Sequence, residues 1–554
     1  MSFVLPETSL NLEILAGPLQ GGGPLVRDYL AGAQALAPFY SGHPGDLAAY
    51  RRKATEVDAR LDGVARAQVA AAIVPLGDAA QHLSRILAGD GYFVTTGQQP
   101  ALFGGPLYTL YKVLGSIRLA EVLERQLGRP VLALFWIGAD DHDWAEANHA
   151  SLLDSQHYVH RLTVRGDPKA PPIPLSERTW GPGVDSVVDE FVSLLPPSEF
   201  RDDVVAHVRA AYTPGSTVAA SFTATMELLL RGRRVAMVSS AHPAVRQTAA
   251  PVLLREVEGA AAHAAALHRQ TARLEAAGYA PQVQLADEAS NIMLLGPDGR
   301  DRIMRDGDGW RTRRERHGLP GEKLQQMIGA EPDRFSPNVL LRPVVESAVF
   351  PTVAYVAGPG ELSYFAQLGC LFEAHGILQP VVVARPSVTL VDAKMRRLLG
   401  RIGLEPEGVR RPYQELLTEV VRREIPPAAG NALERIRRVL HESYGELMEL
   451  TAEIDPTLRG PLTAARNWST VRANEAEKRI VRHMKRRNAI LVEQVRKVSA
   501  SLHPDGAPQE RVLSPLPLLA RHGPELVAAV EAALDLTPVP VAQWHGPECG
   551  GRGG

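Results

Sequence analysis

Cysteine is scarce in this sequence of 554 residues, in which only Cys370 and Cys549 occur. Two cysteines so far apart exclude a disulfide framework and a zinc site built on cysteine ligands. Cys370 lies on an apolar helical pattern with no neighbour in the sequence that would activate it, so we predict a buried, unreactive thiol. Cys549 lies in the glycine-rich end "GPECGGRGG", which we predict to be frayed.

Long apolar runs and an excess of one charge are also absent. No run of 18 apolar residues occurs, and no basic segment precedes the first apolar residues, so the sequence predicts neither a membrane span nor a secretory signal. The 60 Lys and Arg residues against 62 Asp and Glu residues give a net charge of −2, which is not typical of a nucleic-acid coat protein or a membrane-surface protein. With so little cysteine, this composition predicts a cytoplasmic protein.

The first 392 residues alternate short apolar runs with amphipathic helical runs. The candidate strands are residues 91–96, 131–138, 234–239, 352–357 and 381–384. They are almost continuously apolar, as strands buried on both faces of a parallel sheet are. The order of strand, turn and helix therefore predicts an α/β fold with an open, doubly wound parallel sheet.

Two segments interrupt this order, and a helical region follows it. Residues 153–232 are mixed and rich in proline, whereas residues 291–337 resemble a small β-rich insert. Beyond residue 392, apolar residues recur every seven positions from Leu433 to Ile454, then "DPTLRGP" interrupts the pattern and a second helix runs to about residue 499. This heptad pattern predicts an antiparallel coiled-coil hairpin.

Charged side chains cluster directly after the candidate strand 131–138, as Asp140, Asp141, His142 and Asp143. In an open α/β sheet, ligands bind beyond the carboxyl ends of the strands, so we expect this cluster at the binding crevice. Two other interpretations stay open, because aspartates cap helices and because Asp and His bind divalent ions. The spacing of the histidines that follow does not form a recognised metal-binding pair, so no metal site is predicted.

The other strand ends carry polar groups as well. A glycine-rich turn follows strand 91–96 and opens a helix on which Tyr108 and Lys112 share a face, and the free N–H groups of such a turn can hold an anion. Glu361 opens a helix after strand 352–357, where it either contacts a ligand or simply favours the helix dipole. Neither a GxGxxG nor a Walker A motif is present. Polar side chains and free N–H groups at several strand ends suit the activation and transfer of an acyl group.

Five segments of the chain are familiar together. They are "TGQQPALFGGPLYTLYK", "FWIGADDHDWAEANH", "LRPVVESAVFPTVAYVAGPGELSYFAQL", "ARPSVTLVD" and, near the C-terminus, "LHPDGAPQERVLSPLPLLARHG". In order and spacing they resemble the BshC family, the cysteine ligases of bacillithiol biosynthesis. The resemblance implies a Rossmann-like core akin to nucleotidylyltransferases and class I aminoacyl-tRNA synthetases, two connecting inserts, and a C-terminal coiled coil through which the chain forms a homodimer.

The resemblance also implies a division of the chain into domains. The expected parts are a Rossmann-like core of residues 1–152, 233–290 and 338–392, connecting inserts at 153–232 and 291–337, a helical coiled-coil domain at 393–503, and a tail at 504–554 that packs back on the core.

The activity implied by the resemblance is the last step of bacillithiol synthesis, in which L-cysteine is joined to the amine of glucosaminyl-malate by an amide bond. ATP or another activating nucleotide, with or without Mg²⁺, is the expected cosubstrate. The positions that correspond to the synthetase HIGH and KMSKS motifs, residues 103–108 and 385–389, lack the histidine and the lysines of those motifs. His142, Asp141 and Lys112 are the expected catalytic residues, with His142 taking the proton of the amine and Asp143 fixing its imidazole.

The other residues expected at the site bind substrates. They are Gly97, Gln98, Gln99, Gly105, Tyr108, Trp136, Asp143, Gly358, Glu361, Tyr364, Gln367, Arg385 and Ser387.

A synthetase-like nucleotide- or RNA-binding protein without ligase chemistry is the alternative function. The feature that favours it is the basic segment "KRIVRHMKRR" at residues 478–487. Long basic side chains are also common on the solvated face of a helical hairpin, so no nucleic-acid partner is predicted. The expected partners are the two small-molecule substrates and a second copy of the chain.

Overall fold

The structure is a computed structural model, and it describes residues 10–167, 169–307, 309–314 and 318–536. The strands are β1 (Leu12–Gly17), β2 (Ile73–Leu76), β3 (Tyr92–Gln98), β4 (Val131–Ile137), β5 (His149–Leu153), β6 (Val159–Thr163), β7 (Val235–Ser239), β8 (Ala289–Gly296), β9 (Gly299–Asp306), β10 (Gly309–Thr312), β11 (Gly318–Leu319), β12 (Phe335–Pro337), β13 (Thr352–Ala357), β14 (Val381–Ala384) and β15 (Ser387–Asp392).

The α-helices are α1 (Pro24–Leu30), α2 (Leu47–Arg60), α3 (Gly63–Ala67), α4 (Ala79–Leu87), α5 (Leu107–Leu127), α6 (Trp144–Ala147), α7 (Gly183–Leu194), α8 (Arg201–Ala211), α9 (Val218–Leu229), α10 (Pro243–Ala276), α11 (Gly321–Ala330), α12 (Arg342–Val349), α13 (Pro359–Ala374), α14 (Ala393–Ile402), α15 (Tyr413–Arg423), α16 (Pro427–Ala452), α17 (Arg459–Arg487), α18 (Ala489–Leu502), α19 (Gln509–Val512), α20 (Leu516–His522) and α21 (Glu525–Ala533). None of the helices within the described ranges is long and apolar enough to span a membrane.

The centre of the fold is a six-stranded sheet in the order β14-β13-β3-β4-β7-β2. Its first five strands are parallel, and only β2 runs antiparallel, against β7. The five strands predicted from apolar runs are the five parallel ones. The prediction of an α/β fold with a parallel sheet is confirmed, and β2 is an edge strand that the apolar pattern did not indicate.

Both faces of this sheet are covered, which explains why its strands are apolar without alternation. In β4, Ala133, Phe135 and Ile137 pack into one hydrophobic core. The alternate side chains, among them Leu134 and Trp136, pack into a second core on the opposite face. Since successive side chains of a strand point to opposite faces, every position of β4 is buried.

The chain leaves the sheet twice. Between β4 and β7 it forms the two-stranded β5–β6 sheet and the helices α7, α8 and α9. Between α10 and β13 it forms a five-stranded antiparallel sheet in the order β11-β10-β9-β8-β12. Strands β8 and β9 of this second sheet are joined by a tight turn in the sequence "PDGRD".

Within the described residues, 10–155, 160–390 and 510–536 make up one compact unit, and 156–159 and 391–509 make up a second one. In the second unit, α16 and α17 form an antiparallel hairpin in which Arg437 pairs with Glu477. The predicted second helix of this hairpin ends earlier than expected. It stops at Arg487, and a separate helix, α18, begins at Ala489.

Candidate active site

A cavity of about 670 Å³ opens at the carboxyl ends of four parallel strands. Gly97 and Gln98 end β3, Gly138 follows β4, Gly358 follows β13 and Arg385 follows β14. All five residues line the cavity. The cavity therefore lies where the topology of an open α/β sheet places a ligand.

Most residues predicted for the site line this cavity. They are Gly97, Gln98, Gln99, Tyr108, Lys112, Trp136, Asp141, His142, Gly358, Glu361, Tyr364 and Arg385. Four predicted residues, Gly105, Asp143, Gln367 and Ser387, are not part of its lining.

Two of these four have their side chains engaged elsewhere. Asp143 caps α6, because its carboxylate accepts a hydrogen bond from the backbone N–H of Glu146 at 3.1 Å. Within the described structure it makes no hydrogen bond to the imidazole of His142, contrary to the expected role. Gln367 is fully buried, and its amide bonds both the N–H and the C=O of Val283. Both side chains support the backbone around the cavity.

The other two lie in the supporting structure. Gly105 precedes α5 with a φ of +69°, a conformation that glycine adopts without strain. Ser387 is fully buried, where it donates to the carboxylate of Glu510 at 2.9 Å and accepts from the N–H of Gln20. Glu510 also forms an ion pair with the buried Arg385 at 2.7 Å, so it holds that guanidinium in place.

A buried ion pair between Lys112 and Glu361 connects the end of β3 with the end of β13. The ammonium of Lys112 lies 2.7 Å from the carboxylate of Glu361 and also donates to the backbone oxygen of Gly97. Burial lowers the pKa of Lys112, and the charge of Glu361 opposes that effect. Burial alone would raise the pKa of Glu361, but Lys112 and Arg342 outweigh it and hold that pKa below its usual range. The ammonium of Lys112, which lines the cavity, therefore already has a counter-charge in Glu361.

Arg342 organises the floor of the cavity. It donates to Glu346 at 2.8 Å, to the hydroxyl of Tyr364 at 2.8 Å and to the hydroxyl of Tyr355 at 3.2 Å. This network fixes Tyr364 at the cavity surface.

The loop after β4 is ordered by one of its own carboxylates. One oxygen of Asp141 accepts the backbone N–H groups of His142 at 2.6 Å and Asp143 at 3.0 Å. The other oxygen accepts from the side-chain amide of Gln99. Asp141 therefore links the ends of β3 and β4 and shapes the loop that presents His142.

His142 is contacted by a residue of the second insert. Nη1 of Arg300, on β9, lies 3.3 Å from Nδ1 of His142. The same guanidinium lies 3.5 Å from the buried carboxylate of Asp140. Burial and then the charge of Arg300 lower the pKa of His142. For Asp140, burial would raise the pKa, but the charges of Arg246 and Arg300 outweigh burial and lower it.

Several cavity residues were not predicted. They are Gly138, Glu146, Gln282, Val283, Met293, Arg300, Arg302, Pro337, Asn338, Val339, Arg342, Pro359, Gly360 and Arg511, whereas Asp140 belongs to the charged cluster that was expected at the crevice. The sequence does indicate that Arg300 and Arg302 belong together, because they are two positions apart on β9 and so share a face of that strand. Their strand belongs to a different sheet, however, so the sequence did not predict that this face borders the crevice.

A convergent group of metal-ligating side chains exists in the described part of the chain, but away from His142. It consists of Glu256, His263 and His375, all buried. Both imidazoles contact one carboxylate oxygen of Glu256, at 2.7 Å and 3.1 Å, and Asn291 donates to the other oxygen. These are hydrogen-bond lengths, shorter than the roughly 3.3 Å that separates ligands 2.0–2.1 Å from a tetrahedral zinc ion. We assign this group a structural role.

Cys370 is not placed for catalysis. Burial raises the pKa of its thiol to about 11, so almost no thiolate is present at neutral pH. The thiol donates to the backbone oxygen of Gln367 at 3.6 Å. Cys549 lies outside the described residues.

Two family models match the chain along almost its whole length. The N-terminal Rossmann-like domain of the bacillithiol biosynthesis protein BshC matches residues 12–386, and the C-terminal coiled-coil domain of the same protein matches residues 388–536.

Similar proteins from several bacteria carry the name "Putative cysteine ligase BshC". The protein of Salinibacter ruber is 30% identical over 522 residues, which cover 92% of this chain and 94% of the relative. That of Solibacter usitatus is 31% identical over 512 residues, covering 92% and 95%. That of Symbiobacterium thermophilum is 29% identical over 548 residues, covering 94% and 96%. With a parallel Rossmann-like sheet followed by a helical coiled-coil region, and with these matches, the chain belongs to the BshC family.

Proposed function

We propose that this protein is the cysteine ligase of bacillithiol synthesis, joining L-cysteine to the amine of glucosaminyl-malate through an amide bond. The observation that carries the proposal is a cavity at the strand ends that offers both carboxylates and unpaired guanidinium groups. Its volume of about 670 Å³ falls in the range of about 300–1,000 Å³ typical of small-molecule sites.

The two kinds of charge suit the two substrates. Glu146 lines the cavity with a carboxylate that has no hydrogen-bond or ion-pair partner among the described residues, which suits an amine. Among the described residues, the guanidinium groups of Arg302 and Arg511 have no hydrogen-bond or ion-pair partner although both line the cavity. A planar guanidinium is well suited to carboxylate and phosphate groups. These two arginines are thus the candidates for holding the malate carboxylates or the phosphates of an activating nucleotide.

Activation of the cysteine carboxylate is required, because a carboxylate and an amine do not condense spontaneously in water. ATP or another nucleotide is the proposed source of the activating group. Lys112, one of the expected catalytic residues, is less suited to stabilising negative charge on the activated group because Glu361 already neutralises it. Arg302 and Arg511 fit the phosphates better, since neither is engaged by the protein in the described ranges.

Replacing Arg302 or Arg511 with methionine is expected to raise the KM of the anionic substrate about tenfold, since one charge-assisted hydrogen bond contributes about 1.5–3 kcal/mol. Steady-state kinetics with each substrate varied in turn would measure the change. Arg305→Met is the matched control, because Arg305 shares β9 with Arg302 but does not line the cavity. Equal KM values for all three variants and the unchanged protein would contradict this assignment.

Mass spectrometry tests the function directly. The purified protein is incubated with glucosaminyl-malate and L-cysteine, with ATP and Mg²⁺ present or absent. Product formed only with ATP supports the ligase and nucleotide activation, and product formed without ATP supports the ligase but requires another activated donor. If folded protein gives no product in either mixture while binding tRNA in a salt-sensitive way, the ligase is contradicted and the RNA-binding alternative is favoured.

We also propose that the α16–α17 hairpin pairs with a second copy of the chain. In the second unit considered by itself, apolar side chains of the hairpin are exposed, including Leu450 at 64%, Ile454 at 77% and Trp468 at 62%. Leu447 and Leu450 continue the heptad pattern that ends at Ile454. Apolar heptads of this kind are covered by another helix in coiled coils.

The double substitution Leu450→Asp and Ile454→Asp is expected to convert a dimer into a monomer, because two buried charges would face each other across the interface. Size-exclusion chromatography with light scattering would measure the mass. Arg435→Asp with Arg438→Asp is the control, because these exposed positions of the same helix lie outside the heptad stripe. A monomeric starting protein would refute the proposed assembly.

A further inference from the structure

We propose that His142 acts as a neutral hydrogen-bond donor through its Nε2–H, stabilising the carbonyl oxygen of the activated cysteine, and that Arg300 is the positioning residue that fixes this tautomer. The inference rests on the proposed ligase function. It replaces the expectation that His142 accepts the proton of the amine.

The hydrogen bond between Arg300 and His142 can run in only one direction. A guanidinium carries only donors, so the contact between Nη1 of Arg300 and Nδ1 of His142, at 3.3 Å, requires the imidazole nitrogen to accept. When Nδ1 accepts and the ring is neutral, the ring proton is on Nε2. Nε2 has no hydrogen-bond partner among the described residues, and His142 lines the cavity. The free donor of the ring is therefore available to a ligand.

The guanidinium of Arg300 is held in place by several contacts. Its Nε donates to the hydroxyl of Ser336 at 2.9 Å, and its Nη2 donates to the backbone oxygen of Pro337 at 2.9 Å. Asp140 lies 3.5 Å from the same guanidinium. With these contacts and a side chain only 10% exposed, the guanidinium cannot turn away from His142 without losing several hydrogen bonds.

Four charged side chains and burial set the charge of the imidazole of His142. Arg300 and Arg314 face His142 from the second insert, and Asp141 and Asp143 face it from its own loop. Burial is the largest effect and lowers the pKa of His142, and the two arginines add to it, while the two aspartates oppose it. The net pKa lies below the usual 6.5, so the imidazole is neutral at physiological pH.

A neutral imidazole of this tautomer can donate but cannot take a proton at Nε2. Neutral histidine used in this way is a known device for polarising a carbonyl group. In the transfer step, the C–N bond forms, the bond between the carbonyl carbon and the activating phosphate oxygen breaks, and charge develops on the carbonyl oxygen. The proton released by the amine goes to the carboxylate of Glu146, which lines the same cavity and whose pKa is raised by burial, Asp143 and Asp141.

Nitrogen NMR of protein labelled with ¹⁵N-histidine tests the tautomer without any turnover. His142→Gln identifies the signals of this ring among the 17 histidines. We expect the Nε2–H tautomer at neutral pH and a titration midpoint below 6.5. Arg300→Met should move the midpoint to higher pH, and Arg300→Lys, which keeps the charge, should move it less. A cationic ring or an Nδ1–H tautomer in the unchanged protein would overturn the inference, even if Arg300→Met failed to fold.

The pH profile of kcat gives an independent readout. Because the neutral ring is the active form, activity should fall as the pH drops through the pKa of His142, and Arg300→Met should move this acidic limb to higher pH. A ligase that is active but whose acidic limb does not move in Arg300→Met contradicts the inference and leaves the ligase function intact. If the protein shows the expected tautomer but no ligase activity, the proposed ligase function is refuted, while the assignment of the Nε2–H tautomer to His142 stands.

Discussion

Glu361→Gln should reduce the free energy of unfolding by about 3 kcal/mol, because it leaves the ammonium of Lys112 buried without a counter-charge. The side chain of Lys112 is only 3% exposed, so water cannot replace the lost carboxylate. The introduced amide can place its oxygen at the position of Oε2, where it accepts from the N–H of Gly358, while its NH2 group at the position of Oε1 donates to the hydroxyl of Tyr355, so the change is largely limited to the charge. Denaturation in urea, followed by tryptophan fluorescence, would measure the effect.

The double variant Lys112→Met with Glu361→Gln should recover most of this loss, since it leaves no buried ammonium without a counter-charge. Glu331→Gln is the control for an exposed pair, because Arg334 and Glu331 are 37% and 50% exposed, and we expect a change below about 1 kcal/mol. Equal decreases in the free energy of unfolding for Glu361→Gln and Glu331→Gln would show that the buried ion pair stabilises the protein no more than the exposed one.

The same ion pair predicts a pH dependence. In the folded protein the pKa of Glu361 lies below its ordinary value of 4.5. A lowered carboxyl pKa stabilises the folded state at pH values above 4.5, and this stabilisation is lost as the pH falls through the lowered pKa. The Glu361→Gln variant should therefore differ most from the unchanged protein at neutral pH and least in acid.

His142→Ala is expected to reduce kcat by about 10²- to 10³-fold, the usual cost of removing one donor to a developing oxyanion. The free energy of unfolding should change little, because the side chain is only partly buried. His142→Gln should retain part of the activity, since its amide can donate from a similar position. Steady-state kinetics at several pH values would measure both variants.

The control for this prediction is His149→Ala. His149 lies on β5 near the same loop, but it does not line the cavity, and its ring contacts the backbone oxygen of Ala145. Its substitution should leave kcat within about twofold, as surface substitutions usually change little. Full activity in His142→Ala would remove this residue from the mechanism, and equal losses in both histidine variants would indicate a general effect on the loop.

The position of the site was predictable because of one regular property of parallel sheets. Each apolar run predicted a strand, and the polar residues after it, such as Gln98, His142 and Arg385, had to meet at one edge. The observed cavity contains all three. Gln367 is an instructive exception, because helical periodicity placed it outside the apolar stripe but could not reveal that its amide is used by Val283.

Arg300 shows why the rest of the site was not predictable. It lies 158 positions from His142, on a strand of the antiparallel insert sheet, and the two residues meet only because that sheet folds over the strand ends. Asp143 is the opposite case. It is next to His142 in the sequence, which suggested that it bonds the imidazole, but its carboxylate caps α6 instead. Proximity in the sequence predicted side-chain contacts reliably only within one strand, one helix or one turn.

The amino-acid sequence by itself determined the parallel sheet, the crevice at its strand ends, the helical hairpin and the membership of the family. These follow from local periodicity and from motifs that remain recognisable without any three-dimensional information. Only the tertiary structure decided the electrostatics: which cations are already paired, as Lys112 is, and which ring nitrogen of His142 carries the proton. The physical reason is that charge and protonation depend on burial and on the distance between groups far apart in the chain, and neither quantity is written in the order of the residues.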